Sequence, residues 1–129
     1  MVNMTVEADC GNAPKKLFLR DVNVAFAEGN VDFLQQSVTE DIVWHMVGDK
    51  KIEGKESFVE ALNEMKNNKT SALTLTNIIT HGKQAAVDGV ITMQDGTDYA
   101  FCDVYEFRGA KGSQIKSIVS YVIVMNGTE

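Results

Sequence analysis

The stretch Thr97-Asp98-Tyr99-Ala100-Phe101-Cys102-Asp103-Val104-Tyr105-Glu106-Phe107 puts Tyr99, Phe101, Asp103, Tyr105 and Phe107 on one parity. Ala100, Cys102, Val104 and Glu106 fall on the other. Side chains of a strand alternate between its two faces, so this segment reads as a strand with large rings and one carboxylate on a single face. That set is large enough to fill a concave surface. Three further apolar, β-branched runs surround it: Ala72 to Thr80, Gln84 to Met93 and Gln114 to Met125. Between the four lie His81-Gly82-Lys83, Gln94-Asp95-Gly96 and Arg108 to Ser113, each with the Gly or Asp that tight hairpins need. Short turns between consecutive strands predict an antiparallel meander.

Upstream the period changes from two to that of a helix. Asn12 is placed to cap a helix whose first turn takes Pro14, and Phe18, Val22, Ala25 and Phe26 recur at helical spacing until Gly29. Asn30 caps a second, short helix carrying Val31, Phe33, Leu34 and Val38. Ile42 to Val47 is β-branched and aromatic and reads as a short strand, with Gly48-Asp49-Lys50 as its turn. From Gly54 a third helix shows Phe58, Ala61, Leu62 and Met65 on one face and stops at Lys66-Asn67-Asn68-Lys69. Residues 1–11 lack periodicity and read as a weakly tethered N-terminal arm, which leaves 12–129 as one domain. Three helices followed by a meander predict an α+β fold, with the helices covering one face of a curved sheet.

The last run, Ile118 to Val124, is apolar on both parities, as a strand covered on both sides is. Its outer set is either Val119, Tyr121 and Ile123 or Ile118, Ser120 and Val122. Either would leave an apolar patch on a monomer, so a homodimer through the outer sheet face is expected.

The chain has 129 residues, 44% hydrophobic and 23% charged, enough for one buried core. Its net charge of −6 opposes nucleic-acid binding, which depends on clustered Lys and Arg. Two cysteines, Cys10 and Cys102, make neither a disulfide framework nor a paired metal motif, and no HExxH or EF-hand spacing occurs. No metal and no cofactor are expected. Gly109-Ala110-Lys111-Gly112 lacks the context of a phosphate loop and reads as a hairpin turn. With no leader-like segment and no long apolar run, a cytoplasmic protein without membrane contact is expected.

Three stretches carry a resemblance to a known superfamily. They are Ala25-Phe26-Ala27-Glu28-Gly29-Asn30-Val31-Asp32, Val38-Thr39-Glu40-Asp41-Ile42-Val43-Trp44-His45 and Ile52-Glu53-Gly54-Lys55-Glu56-Ser57-Phe58. In this order, before four antiparallel strands, they resemble the nuclear transport factor 2-like superfamily, which includes SnoaL-like polyketide cyclases and steroid delta-isomerases. The resemblance spans about Asn12 to Met125. It implies a cone-shaped, mainly antiparallel mixed sheet packed on three helices, with an apolar pocket at the wide end, often in a dimer. It also implies that Asp103 matches the isomerases' protonated acid. Val22 falls near their helix tyrosine, and Met46 near their catalytic base.

Asp103 is the leading candidate for chemistry, because a carboxylate on an apolar face either loses its charge or finds a partner. Trp44 and His45 are adjacent and face opposite ways; alternation with Ile42 and Met46 turns Trp44 inward, and His45 reaches the pocket only if the strand bulges. Tyr99, Phe101 and Tyr105 supply wall and hydroxyls, and Met46 adaptable packing. Asp88 reads as an outer-face residue and His81 as a turn residue. Two function classes fit. One is a cofactor-free isomerase or cyclase acting on a small, carbonyl-bearing apolar ligand, with Asp103 as acid or base and His45 or a tyrosine assisting. The other is a module that binds a small hydrophobic molecule, or only dimerises, without catalysis.

Overall fold

The computed structural model describes residues 2–11, 13–109 and 114–125 of the chain, and within them the helices are set by their ends. Helix α1 (Pro14–Glu28) opens on Pro14, whose fixed φ suits a first turn, and closes at Gly29 with φ 74°, a left-handed conformation that favours glycine. Ala13 holds the cap position without a side-chain bond, and the expected cap Asn12 lies outside the described residues. Helix α2 (Val31–Gln36) is capped as its sequence predicts, with the Asn30 side chain accepting from the Phe33 N–H at 3.1 Å. Helix α3 (Lys55–Met65) buries Phe58, Ala61 and Leu62.

Seven strands form one sheet: β1 (Asn3–Val6), β2 (Val38–Met46), β3 (Lys50–Glu53), β4 (Thr70–His81), β5 (Gln84–Met93), β6 (Asp98–Phe107) and β7 (Ile115–Val124). Their order is β1-β4-β5-β6-β7-β2-β3. The four long strands make the expected antiparallel meander, and β2 joins β7 in parallel. The architecture is α+β, with an open mixed sheet covered by three helices.

Three local readings change. Asn3–Val6 is not a loose arm: it pairs in parallel with β4, while Val2 and Met4 pack against the core. Polar Lys50–Glu53 forms strand β3, which buries only Ile52 on its inner side. Val38, expected on the apolar face of α2, instead opens strand β2, because the helix ends at Gln36; the turn expected at Gly109 passes from residue 110 outside the described residues.

The sheet bends where β4 shifts register against β5 between Leu75 and Asn77. At that bend a Cβ on Gly89 would lie 1.9 Å from the Thr74 carbonyl oxygen, so only glycine lets the two backbones approach so closely. Inside the curve the core is dense. Leu19, Phe58, Leu75, Val87, Phe107 and Ile115 are fully buried, and Trp44 meets Phe58 edge-on at 5.6 Å between ring centroids.

Strand β7 settles which of its sets faces out. Ile118 and Ser120 point inward and are buried, whereas Tyr121 and Ile123 are exposed on the outer face. The neighbouring strand β2 ends at Met46, opposite Ser120. Past that point Val122 and Val124, although of inner parity, are also exposed.

Candidate functional site

Along the inner face of β6 the environment changes in steps. Phe107 and Tyr105 lie in the core, Asp103 is half-buried, and Phe101 and Tyr99 line a cleft of about 840 Å³. The cleft opens between the C-terminal ends of α1 and α3 and the ends of β5, β6 and β7. Phe26, Leu34, Leu62 and Ile91 give it apolar walls. Its mouth is not apolar: Glu28, Lys66, Lys69 and Asp95 also line it, and all four are exposed. Its size falls within the range of roughly 300–1,000 Å³ typical of small-molecule sites.

Asp103 is the middle member of that series, between the core and the cleft wall, and is held by a chain of polar side chains. The Tyr105 hydroxyl donates to Asp103 Oδ2 over a long 3.5 Å, and the Ser120 hydroxyl also bonds the carboxyl. Behind Tyr105, Asn23 Nδ2 donates to the phenol oxygen at 3.3 Å and to the Leu19 carbonyl at 2.9 Å. Behind Ser120, Trp44 Nε1 donates to Oγ at 2.9 Å. Among the described residues no buried side-chain nitrogen or oxygen lacks a partner. Burial among apolar groups raises the Asp103 pKa to about 6, against the smaller opposing effect of its bonds to Ser120 and Tyr105. Tyr105, buried beside that carboxyl, has its pKa pushed further upward and keeps its proton. The arrangement gives a carboxyl that can gain or lose a proton near neutral pH without leaving the protein interior.

The structure brings some expected residues together and separates others. Tyr99 and Phe101 are in the cleft wall, as the alternation predicts. Trp44 does face inward, but it is buried between Phe26 and Phe58 instead of lining the cleft. Tyr105 is likewise a core residue, with its hydroxyl taken up by Asn23 and Asp103. Met46 is half-buried, packs on the core and is not among the cleft-lining residues. His45 lies exposed on the outer face, paired with Val119 and Lys51, so the sheet separates it from Asp103. Strand β2 does shift register against β7, but between Val38 and Val43, upstream of His45, which keeps its outward parity. Asp88 is on the outer face as read, accepting from Asn77 Nδ2 at 3.0 Å and lying opposite Cys102. Burial, then Asp103 and Asp88, raise the Cys102 pKa and so oppose thiolate formation.

Asn23 and Ser120 were not singled out by the sequence, although each carries a signal. Asn23 sits one turn after Leu19 in the apolar stripe of α1, and Ser120 interrupts the run from Ile118 to Val124. A polar residue inside an apolar face marks a hydrogen-bonded site. Among the described residues no group of three or more His, Cys, Asp or Glu is placed to hold a metal ion. No helix among them is long and apolar enough to cross a membrane.

The SnoaL-like domain profile matches residues 19–115. Solved structures share the fold at low identity. A proposed SnoaL-like polyketide cyclase from Shewanella denitrificans OS-217 is 12% identical, with a TM-score of 0.75 over 87% of this chain and 92% of that one. A proposed ketosteroid isomerase from Kribbella flavida DSM 17836 is 14% identical, with a TM-score of 0.74 over 89% and 82%. An LEH-like epoxide hydrolase from M. tuberculosis is 15% identical, with a TM-score of 0.71 over 84% and 82%. No curated protein matches the sequence.

Proposed function

This chain belongs to the SnoaL-like domain family, and from that premise we propose that its cleft takes a small, mainly apolar, carbonyl-bearing molecule on which Asp103 moves a proton. A fold shared by cyclases, isomerases and epoxide hydrolases does not choose among them, so the reading rests on the site. The observation that carries it is a half-buried carboxyl one same-face step along β6 from Phe101 and two from Tyr99, both in the cleft wall, where burial raises its pKa to about 6. Acid–base chemistry of this kind needs no cofactor, and proton transfer by a well-placed carboxyl contributes about a hundredfold to ten-thousandfold in rate.

Deuterium uptake at the α-carbons of a bicyclic ketone such as decalone, followed by NMR, tests the proposal. The wild-type protein should bind the ketone and accelerate exchange, and Asp103→Asn should bind it without accelerating exchange. A second reading, binding without catalysis, is favoured by one observation: Asp103 itself is not among the cleft-lining residues, which end at Phe101. Binding with no exchange above background in the wild type would establish that second reading.

Homodimerisation through the outer sheet face belongs to the same proposal. Ile79, Val104, Tyr121 and Ile123 are exposed there, on strands whose inner face is already occupied by the core. Sedimentation should give twice the chain mass for the wild type and the chain mass for Ile123→Lys; a wild-type monomer at micromolar concentration would refute it.

A further inference from the structure

The site contains two side chains that cannot touch a ligand in the cleft yet decide what Asp103 can do to one. An indole N–H and the NH₂ of an asparagine are donors only, while a hydroxyl is one donor and an acceptor. Trp44 Nε1 points at Ser120 Oγ, and Asn23 Nδ2 points at the Tyr105 oxygen. Each hydroxyl therefore spends acceptor capacity on a group that can offer it nothing but a proton. Its own proton is left for the remaining neighbour, and for both hydroxyls that neighbour is Asp103. Asn23 cannot reverse its role by turning its amide over, because the same nitrogen also donates to the Leu19 carbonyl.

Resting on the reading of Asp103 as the proton-moving group, we infer that Asn23 and Trp44 are positioning residues: they aim the Tyr105 and Ser120 hydroxyls at Asp103 and so make it a proton acceptor instead of a hydrogen-bond donor. This is opposite to the role implied by resemblance to the steroid isomerases. A carboxyl receiving two hydroxyl protons is favoured in its ionised form, and its unused lone pairs remain for a substrate. On the carbonyl-bearing ligand already proposed, the proton such a carboxylate takes is that of the C–H bond next to the carbonyl. In the step, a carboxylate oxygen of Asp103 takes the proton and the C–H bond breaks. Its electron pair forms a C=C bond as the carbonyl π pair moves to oxygen, giving an enolate and a neutral Asp103. The proton then returns to the same carbon or to one conjugated with it, and the carboxylate is regenerated.

The neighbours of Asp103 on each packed element are Tyr105 on its own strand, Ser120 on β7, Val87 on β5 and Asn23 of α1 behind Tyr105. Of these only Tyr105 titrates, and burial keeps it protonated; Cys102, on the opposite face of β6, also feels the charge of Asp103, but burial and the charges of Asp103 and Asp88 push its thiol upward, so it stays neutral while Asp103 titrates.

The test is the titration of Asp103 followed by the carboxyl resonance of protein with ¹³C-labelled aspartate, without ligand. Trp44→Phe, which keeps a ring against Phe26 and Phe58, and Asn23→Leu should each raise the Asp103 midpoint, by about half a unit to one unit for a weakened donor. Ser120→Ala should raise it as well, and Trp44→Phe added to Ser120→Ala should raise it no further, because Trp44 acts through that hydroxyl. Midpoints in both positioning variants equal to that of the wild type would overturn the inference. So would a full additional shift from Trp44→Phe in the Ser120→Ala background. If Trp44→Phe or Asn23→Leu does not fold, the other variant decides by the same midpoint comparison. These outcomes are independent of the exchange assay: shifted midpoints with no ketone exchange would refute the proposed activity while leaving the hydrogen-bond direction established.

Discussion

The two ends of the inner face of β6 are built from the same kind of residue and behave differently. At the narrow end Phe107 is fully buried against Phe18 of α1, and Lys15 extends over its ring at 5.1 Å while bonding the Gly82 carbonyl. At the wide end Phe101 and Tyr99 keep accessible surface and look into the cleft. Alternation places all these rings on one face, but what covers that face depends on where α1 and α3 end. A strand of constant pattern thus runs from core to cleft wall, with the carboxyl of Asp103 at the crossing between the two.

The largest effect expected from this contrast is on stability. Phe107→Ala should cost about 3–5 kcal/mol, the range for a fully buried ring, whereas Phe101→Ala should cost about 1 kcal/mol because its site is already open to water. Urea unfolding of both variants checks this, and equal costs would erase the distinction between the ends.

Next in size is the pH dependence of stability. The folded pKa of Asp103, about 6, lies above the 3.8 of an ordinary aspartate. Folding is therefore favoured in full below about pH 4, and that contribution disappears as pH rises through about 6. Discounted for its remaining accessibility, the loss amounts to about 1–3 kcal/mol. Unfolding curves of the wild type and Asp103→Asn at pH 4 and pH 7 should show the Asn variant lacking that part of the slope; parallel profiles would place Asp103 outside the low-polarity end.

The smallest effect sharpens the wide end. Phe101→Trp adds volume to the cleft wall, and it should weaken binding of decalone about tenfold, some 1.4 kcal/mol, with little change in the urea midpoint. Undiminished binding would move the ligand elsewhere.

Much of this was legible in the sequence because it rests on period and parity. The limits of β5 and the inner set of β6 follow from alternation alone, and the Asn30 cap from its side-chain chemistry. Strand β1 was not legible, since four residues are too few to show a period and its pairing to β4 is a long-range contact. Strand β3 was hidden by Lys50, Lys51 and Glu53, whose polarity suits an edge strand as well as a turn. At the site, parity found Asp103 and put His45 on the opposite face from Trp44. It could not say that Trp44 and Tyr105 lie behind the cleft instead of in its wall, because depth below a surface is set by the neighbouring helices. Nor could it pair Asn23 with Tyr105 or Trp44 with Ser120, contacts made across more than seventy residues of chain.

The most direct test of the central claim is a crystal structure of the protein grown with decalone. The ketone should lie between Phe101 and Leu62, with its carbonyl or α-carbon turned toward Asp103 and within about 3–3.5 Å of the carboxyl. A ketone held only at the charged mouth, with Phe101 closed over Asp103, would contradict it.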